Sequence, residues 1–377
     1  MFFYILLLFI IVLNSFIFFK GTNNKNKKIY LIWMFLPVFI ISAFRGPFIG
    51  NDTHSYLNLF NSVSHQDFLY FTKANIYYEK GFIFLNTIIS SITDSSQAIL
   101  IVTSFITIGL IFLFIYRHSA NVWLSVYLFI TLMFYYNSMN VLRQYLAMAI
   151  VLSSLGFVVK RKLVPFLILV ILASFIHTSA IFFIIVYIFP KLKVSYKSLV
   201  IISLCSVAFF YFLFPLIDLI TGRFIQYQVY ISRYFGSNNL GNILKTGVYF
   251  LIFLTGILFA YNNMSNSREP MTSKVNSIRK NNDFIEIHSR RLYTFTLLTA
   301  VILSLLSIRM SILERLADYF TIVSVVYLPN VIQNINNKRV AMRVTIAVVL
   351  ISLIYNIVIL TLRPEWYQVT PYSFFFQ

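Results

Sequence analysis

KRKLVPFLILVILASFIHTSAIFFIIVYIFPKLK, residues 160–193, carries an apolar run from Leu163 to Phe189 between two basic clusters, Lys160-Arg161-Lys162 and Lys191-Leu192-Lys193. Its 27 residues would make an α-helix of about 40 Å, too long for one upright crossing of a hydrocarbon layer roughly 30 Å thick and short for two. Basic residues mark the cytoplasmic ends of membrane spans, so both flanks belong on one side. The stretch therefore reads as two short helices that reverse at His177-Thr178-Ser179, with His177 near the opposite, outer face.

The rest of the chain agrees with a membrane setting. Of 377 residues, 59% are hydrophobic, 18% aromatic and only 11% charged, against roughly 25% charged in a soluble domain. Apolar runs of about 17 to 22 residues indicate helices rather than a β-barrel. Spans are expected at about 1–19, 29–44, 97–116, 122–138, 141–159, 163–176, 178–189, 198–220, 243–261, 292–308, 316–336 and 341–361. This is an all-α, polytopic bundle of about twelve transmembrane helices, treated as one domain over 1–377. The first apolar run has neither a basic n-region nor a small-residue cleavage site, so it reads as an uncleaved span. Cys205, the only cysteine, sits in an apolar run and reads as a small buried residue. No Gly-rich phosphate loop, zinc-spaced Cys/His set or G-x-S-x-G is present.

Of the 30 Lys and Arg residues, 20 fall in one alternating set of loops and 10 in the other. The richer set is expected in the cytoplasm, with both termini outside. A net charge of +19 then needs no nucleic-acid partner. The outer set contains a first loop at 45–96 with an interfacial helix over 81–93, and a second loop at 221–242. The longest inner loop, 262–291, is rich in Asn, Ser and Lys and is expected to be mobile.

Seven of the ten outer basic residues are Arg, whereas twelve of the twenty inner ones are Lys. Orientation needs only charge, but planar, bidentate binding of phosphate needs Arg. Arg45, Arg143, Arg309 and Arg315 lie at or near span ends, with Arg223 and Arg233 in the second outer loop. Snorkelling toward lipid headgroups is the ordinary explanation for any one of them. For the set, a polyanion bound at the outer face is the sharper one. The same side holds Asp52 and Glu79 beside turn-forming residues, and either serves as a general base if desolvated. Tyr56 and Tyr319 offer faces for stacking on sugar rings, and Tyr is also common in interfacial belts.

Five segments together resemble the EpsG family of bacterial polysaccharide polymerases, relatives of the Wzy O-antigen and capsule polymerases. They are FRGPFIGNDTHSY (44–56), YEKGFIFLN (78–86), NVLRQYLAMAI (140–150), ASFIHTSAIF (173–182), and ERLADYF with LPN (314–320 and 328–330). The resemblance implies a GT-C-like architecture in the bacterial inner membrane with the active site facing the periplasm. It implies undecaprenyl-pyrophosphate-linked oligosaccharide as substrate, with membrane lipid and a chain-length regulator and flippase of the same pathway as partners. It implies no cofactor and no metal.

On that footing Arg45, Arg143, Gln144, Arg223, Arg233, Arg309, Arg315, Tyr56 and Tyr319 are the candidate substrate-binding residues. Asp52 is the first candidate for the base, followed by His177, Glu79 and His54. A transporter or flippase of lipid-linked oligosaccharide is the alternative from another class, and a multi-pass sugar acyltransferase is a third. The first needs a basic cavity open to both sides, and the Arg enrichment is on one side only. The second requires a His inside an apolar span, whereas His177 is expected at an outer turn.

Overall fold

The computed structural model describes residues 1–18, 24–64, 66, 78–192, 201, 204, 208, 210–212, 240–264 and 277–376. Among them, seven helices are long and apolar enough to cross a membrane. An eighth crossing forms if Val122–Thr131 and Phe134–Asn140, bent by 54°, count as one. Eight of the twelve expected spans correspond to these. The segments expected at 1–19, 163–176 and 178–189 fall on shorter apolar helices, Phe2–Phe18, Leu163–Ile176 and Thr178–Lys191. The run at 198–220 lies mostly outside the described residues. Along Lys338–Leu362, Ile346, Leu350, Ile351 and Ile354 are each more than half exposed. Such a stripe is an aggregation liability in water and an ordinary lipid-facing surface in a bilayer. The protein is a polytopic helical membrane protein.

The helices group into two compact units. The first comprises Met1–Phe157, Leu163–Phe183 and Ile332–Gln377, and the second Val158–Lys162 and Ile184–Val331. In the first unit, Gln97 Nε2 donates to Ala43 O at 2.7 Å and Arg45 O at 3.3 Å, closing the end of the Asn24–Ala43 helix. The C-terminal segment returns to the same end of the unit. Tyr372 Oη donates to Ile41 O at 2.9 Å and Tyr4 Oη to Val369 O at 3.0 Å, and Arg45 bridges to Phe374.

The bend after Thr131 has a visible cause. Met133 adopts φ 70°, left-handed for a residue with a Cβ, and interrupts the helical ladder. Carbonyls freed by such a break must find other donors inside a membrane. Ile130 O accepts from Met133 N at 3.0 Å and, as a second donor, from Nδ2 of Asn356, 2% exposed, at 3.3 Å. Tyr136 Oη donates to the other side of the same amide at 3.5 Å. We expect Asn356→Leu to lower stability by about 1 kcal/mol, the net loss of its buried hydrogen bonds to Ile130 O and from Tyr136 Oη. An unchanged thermal midpoint in detergent would show that the break needs no such partner.

The stretch at 163–189 reverses at His177, between the Leu163–Ile176 helix and a 3-10 helix over Thr178–Lys191. Tyr187 Oη donates to Arg161 O at 2.9 Å and Arg161 Nη1 to Tyr187 O at 3.3 Å, so both ends of the stretch lie side by side. The length shortfall is met by winding: 14 residues cover about 28 Å as a 3-10 helix, against about 21 Å as an α-helix.

In the second unit, Asn242 Nδ2 donates to Ser307 O at 3.0 Å and Thr246 Oγ1 to Ser304 O at 2.8 Å. These bonds set the start of Leu240–Met264 against the end of Ser277–Ser307. Residues 277–291, expected within the mobile 262–291 loop, are instead the first turns of that helix. Pairs one turn apart support it: Arg290 Nη2 meets Glu286 Oε1 at 2.7 Å, and the His288 ring lies 3.8 Å from that of Phe284. Most of the expected second outer loop, 221–239, lies outside the described residues.

Candidate active site

The loop that follows the Asn24–Ala43 helix is built around glycine and asparagine. Gly50 takes φ +91°, and a Cβ there would stand 2.8 Å from Met139 O and 3.0 Å from Asn140 Oδ1. Only glycine fits that approach. Asn51 N then donates to Asn140 Oδ1 at 2.8 Å, docking the loop just ahead of the Leu142–Ser153 helix that carries Arg143. Thr53 Oγ1 donates to Ile49 O at 2.6 Å and opens the Thr53–Val63 helix.

A second glycine makes the central contact. Glu79 precedes the Lys80–Ser90 helix in extended backbone and does not use its carboxylate to cap it. A Cβ on Gly81 would lie 2.5 Å from Phe175 O and 2.7 Å from Phe175 C, so the start of this helix rests directly on the backbone before His177. The carboxylate thereby reaches two cations or potential cations. Glu79 Oε1 meets His177 Nδ1 at 2.8 Å and accepts from Thr178 N at 3.3 Å, while Oε2 pairs with Arg143 Nη1. We expect Gly81→Ala to cost at least tenfold in activity while the protein still inserts, because misplacing a reacting group by about 1 Å carries a penalty of that order or larger. Wild-type turnover by Gly81→Ala would show that the close approach is incidental.

The three side chains are 13–15% exposed, shielded but within reach of a ligand. Burial alone would raise the Glu79 carboxyl. The His177 hydrogen bond and the Arg143 charge outweigh it and hold the group at about 2. Glu79 is therefore a carboxylate and accepts only, so His177 donates to it through Nδ1 and Nε2 is the ring nitrogen left for another partner. Arg143 stands 4.5 Å from the Tyr78 ring centroid and 6.0 Å from that of Tyr56. Among the described residues its buried Nε has no hydrogen-bond partner. Burial, opposed by Arg143, moves the Tyr56 phenol to about 12, so it is neutral.

Asp52 sits at the N-cap of Thr53–Val63 without a side-chain capping bond, and its charge is felt by Tyr56, one of the rings beside Arg143. His54 is exposed and stacks on Phe48, centroids 6.0 Å apart. Gln144, at 2% exposure, is buried.

Arg45 differs from a phosphate clamp. It is fully buried, with Nη1 on Ser42 O at 2.5 Å, Nη2 on Met139 O at 3.2 Å and Nε on Thr53 Oγ1 at 3.4 Å. Its donors are committed to two backbone carbonyls and a hydroxyl where two helices end and one begins. Burial lowers its pKa to about 10, which leaves it cationic.

Arg309, Arg315 and Tyr319 belong to the second unit. Arg309 lies over Phe210 at 4.6 Å, Arg315 is exposed and Tyr319 is buried. Glu314 pairs with Lys245 rather than with its neighbour Arg315. Arg223 and Arg233 lie outside the described residues. The sequence named Glu79, Arg143 and His177 separately; their convergence, and the parts played by Gly81, Asn140 and Thr178, are new. The only signal for Gly81 was its place in the YEKGF segment.

Four of the five segments that carried the resemblance thus meet at one end of the first unit. The model of the EpsG family matches residues 28–374, nearly the whole chain. No curated protein and no solved structure matches it.

Proposed function

This chain belongs to the EpsG family, and on that footing we propose that it is a polysaccharide polymerase acting on undecaprenyl-pyrophosphate-linked repeat units. The growing chain is transferred from its lipid pyrophosphate to a hydroxyl at the non-reducing end of an incoming lipid-linked unit. The attacking oxygen forms the new bond to the anomeric carbon, and the bond to pyrophosphate breaks. The hydroxyl proton passes to His177 Nε2, while Glu79 holds the imidazole in its Nδ1–H tautomer. Arg143 stabilises the charge that grows on the departing pyrophosphate. His177 replaces Asp52 as first candidate for the base, and Arg45 leaves the binding set. The basic bias of the loops supports an inner-membrane protein with this end facing the periplasm. The GT-C-like architecture rests on the family resemblance.

The observation that carries the reading is the Glu79 carboxylate held between His177 and Arg143. The test is purified protein in liposomes with a defined lipid-linked repeat unit. A ladder of glycan lengths, formed without nucleotide sugar or ATP, is the expected result. Movement of the intact unit across the bilayer, with no ladder, would assign a flippase instead.

A further inference from the structure

Apart from the Glu79 cluster, the first unit holds a cleft of about 490 Å³ between the loop that follows the Asn24–Ala43 helix and the C-terminal segment, lined in part by Phe48, Glu365, Gln368, Thr370, Tyr372 and Ser373. We propose that this cleft binds neutral sugar residues of the glycan, away from the bond that reacts. The proposal rests on the polymerase reading and extends it to a second subsite.

Four observations carry it. The volume falls within the range of about 300–1,000 Å³ typical of small-molecule sites, enough for a short oligosaccharide. The lining combines an aromatic face with short-range hydrogen-bonding groups, the pairing that a sugar ring with apolar faces and hydroxyl edges requires. Phe48 is 77% exposed and its ring is braced by the parallel ring of His54, 13° away from coplanar. A large apolar side chain held open in this way has a free face for a ligand.

Charge excludes the phosphate end of the substrate. The lining has one carboxylate and no Lys or Arg, and Arg363 pairs with that carboxylate at 3.7 Å. A pyrophosphate gains nothing there, whereas a neutral sugar does.

Backbone strain points the same way. Gln368 takes φ +46°, a left-handed conformation unusual for a residue with a side chain, and its carbonyl is held by Gly50 N at 2.8 Å. Strain of this kind persists where the surroundings enforce it and gathers at ligand sites. The same loop runs from Phe48 through Asn51, which is bonded to Asn140 three residues ahead of Arg143. A glycan seated in the cleft is therefore bound by the loop that abuts the reacting end.

The experiment uses the full-length protein in detergent, with oligosaccharide released by mild acid from the host's own lipid-linked repeat unit as probe, and calorimetry as readout. Phe48→Ala should weaken binding about tenfold, the scale of one lost aromatic face. Gln368→Gly, which relieves the backbone and removes the side chain, should weaken it several-fold without loss of thermal stability. Arg143→Ala should bind the probe as wild type does.

Equal affinities for wild type, Phe48→Ala and Gln368→Gly would overturn the proposal. So would polymerisation by Phe48→Ala at wild-type apparent KM, an outcome that leaves the polymerase reading intact. Phe48-dependent binding of the probe by a protein that makes no polymer would uphold the cleft and remove the polymerase reading.

Discussion

His177→Ala is expected to lower single-turnover transfer by about 10²- to 10⁴-fold, the usual contribution of a positioned general base, with little change in apparent KM. Its Nδ1 lies 2.8 Å from a carboxylate that holds its proton, so the ring has one nitrogen for orientation and one for chemistry. Glu79→Gln should fall by about 10² or more, because an amide no longer enforces the tautomer and no longer neutralises Arg143. Added imidazole should restore part of the His177→Ala activity if the role is proton transfer, and none if the ring only spaces two helices. Asp52→Asn in the same assay decides between bases. Asn keeps the size of a residue whose side chain makes no capping bond. A wild-type rate for His177→Ala beside a collapsed rate for Asp52→Asn would transfer the role to Asp52.

Arg143→Ala is expected to abolish polymerisation while the protein stays in the membrane. A bidentate contact to a phosphate oxygen in a shielded site is worth about 2–4 kcal/mol, or roughly 30- to 1000-fold. Removing the guanidinium also strands the Glu79 carboxylate, so part of the loss comes through the His177 pair. Arg143→Lys separates the two effects. An ammonium keeps the ion pair with Glu79 but lacks the fork and the planar face that meets Tyr78. Partial activity in the Lys variant is the expected outcome. Full activity would reduce Arg143 to a counter-charge for Glu79.

The membrane character and the reversal at His177 were legible because both follow from one-dimensional facts: apolar length and basic flanks. The course of the helices was not, since hydropathy assumes one rise per residue and cannot see the break at Met133 or the 3-10 winding after Thr178. The candidate residues were legible as types but not as partners. Glu79 and His177 are brought together by a glycine whose relevance appears only when the backbone of Phe175 is beside it. Arg45 shows the opposite failure. A charge in a loop at a span end reads as a ligand for an anion, whereas here the carbonyls of Ser42 and Met139, at the ends of interrupted helices, take up its donors. Charge patterns register where a cation is in sequence, and burial decides what it serves.

The 3-10 winding of Thr178–Lys191 has a further consequence for the lipid environment. Rewinding those residues as an α-helix would shorten the segment by about 7 Å, and His177 sits at its head. The imidazole is thus mounted on a strut whose length is set by winding, while Glu79 is fixed to a separate helix. Hydrophobic thickness acts on such a strut directly. Turnover in proteoliposomes should therefore peak at one acyl-chain length and fall on either side of it, with the Glu79–His177 contact as the part that loosens. Equal rates across a graded lipid series would show that the strut is rigid and that the bilayer only carries the enzyme.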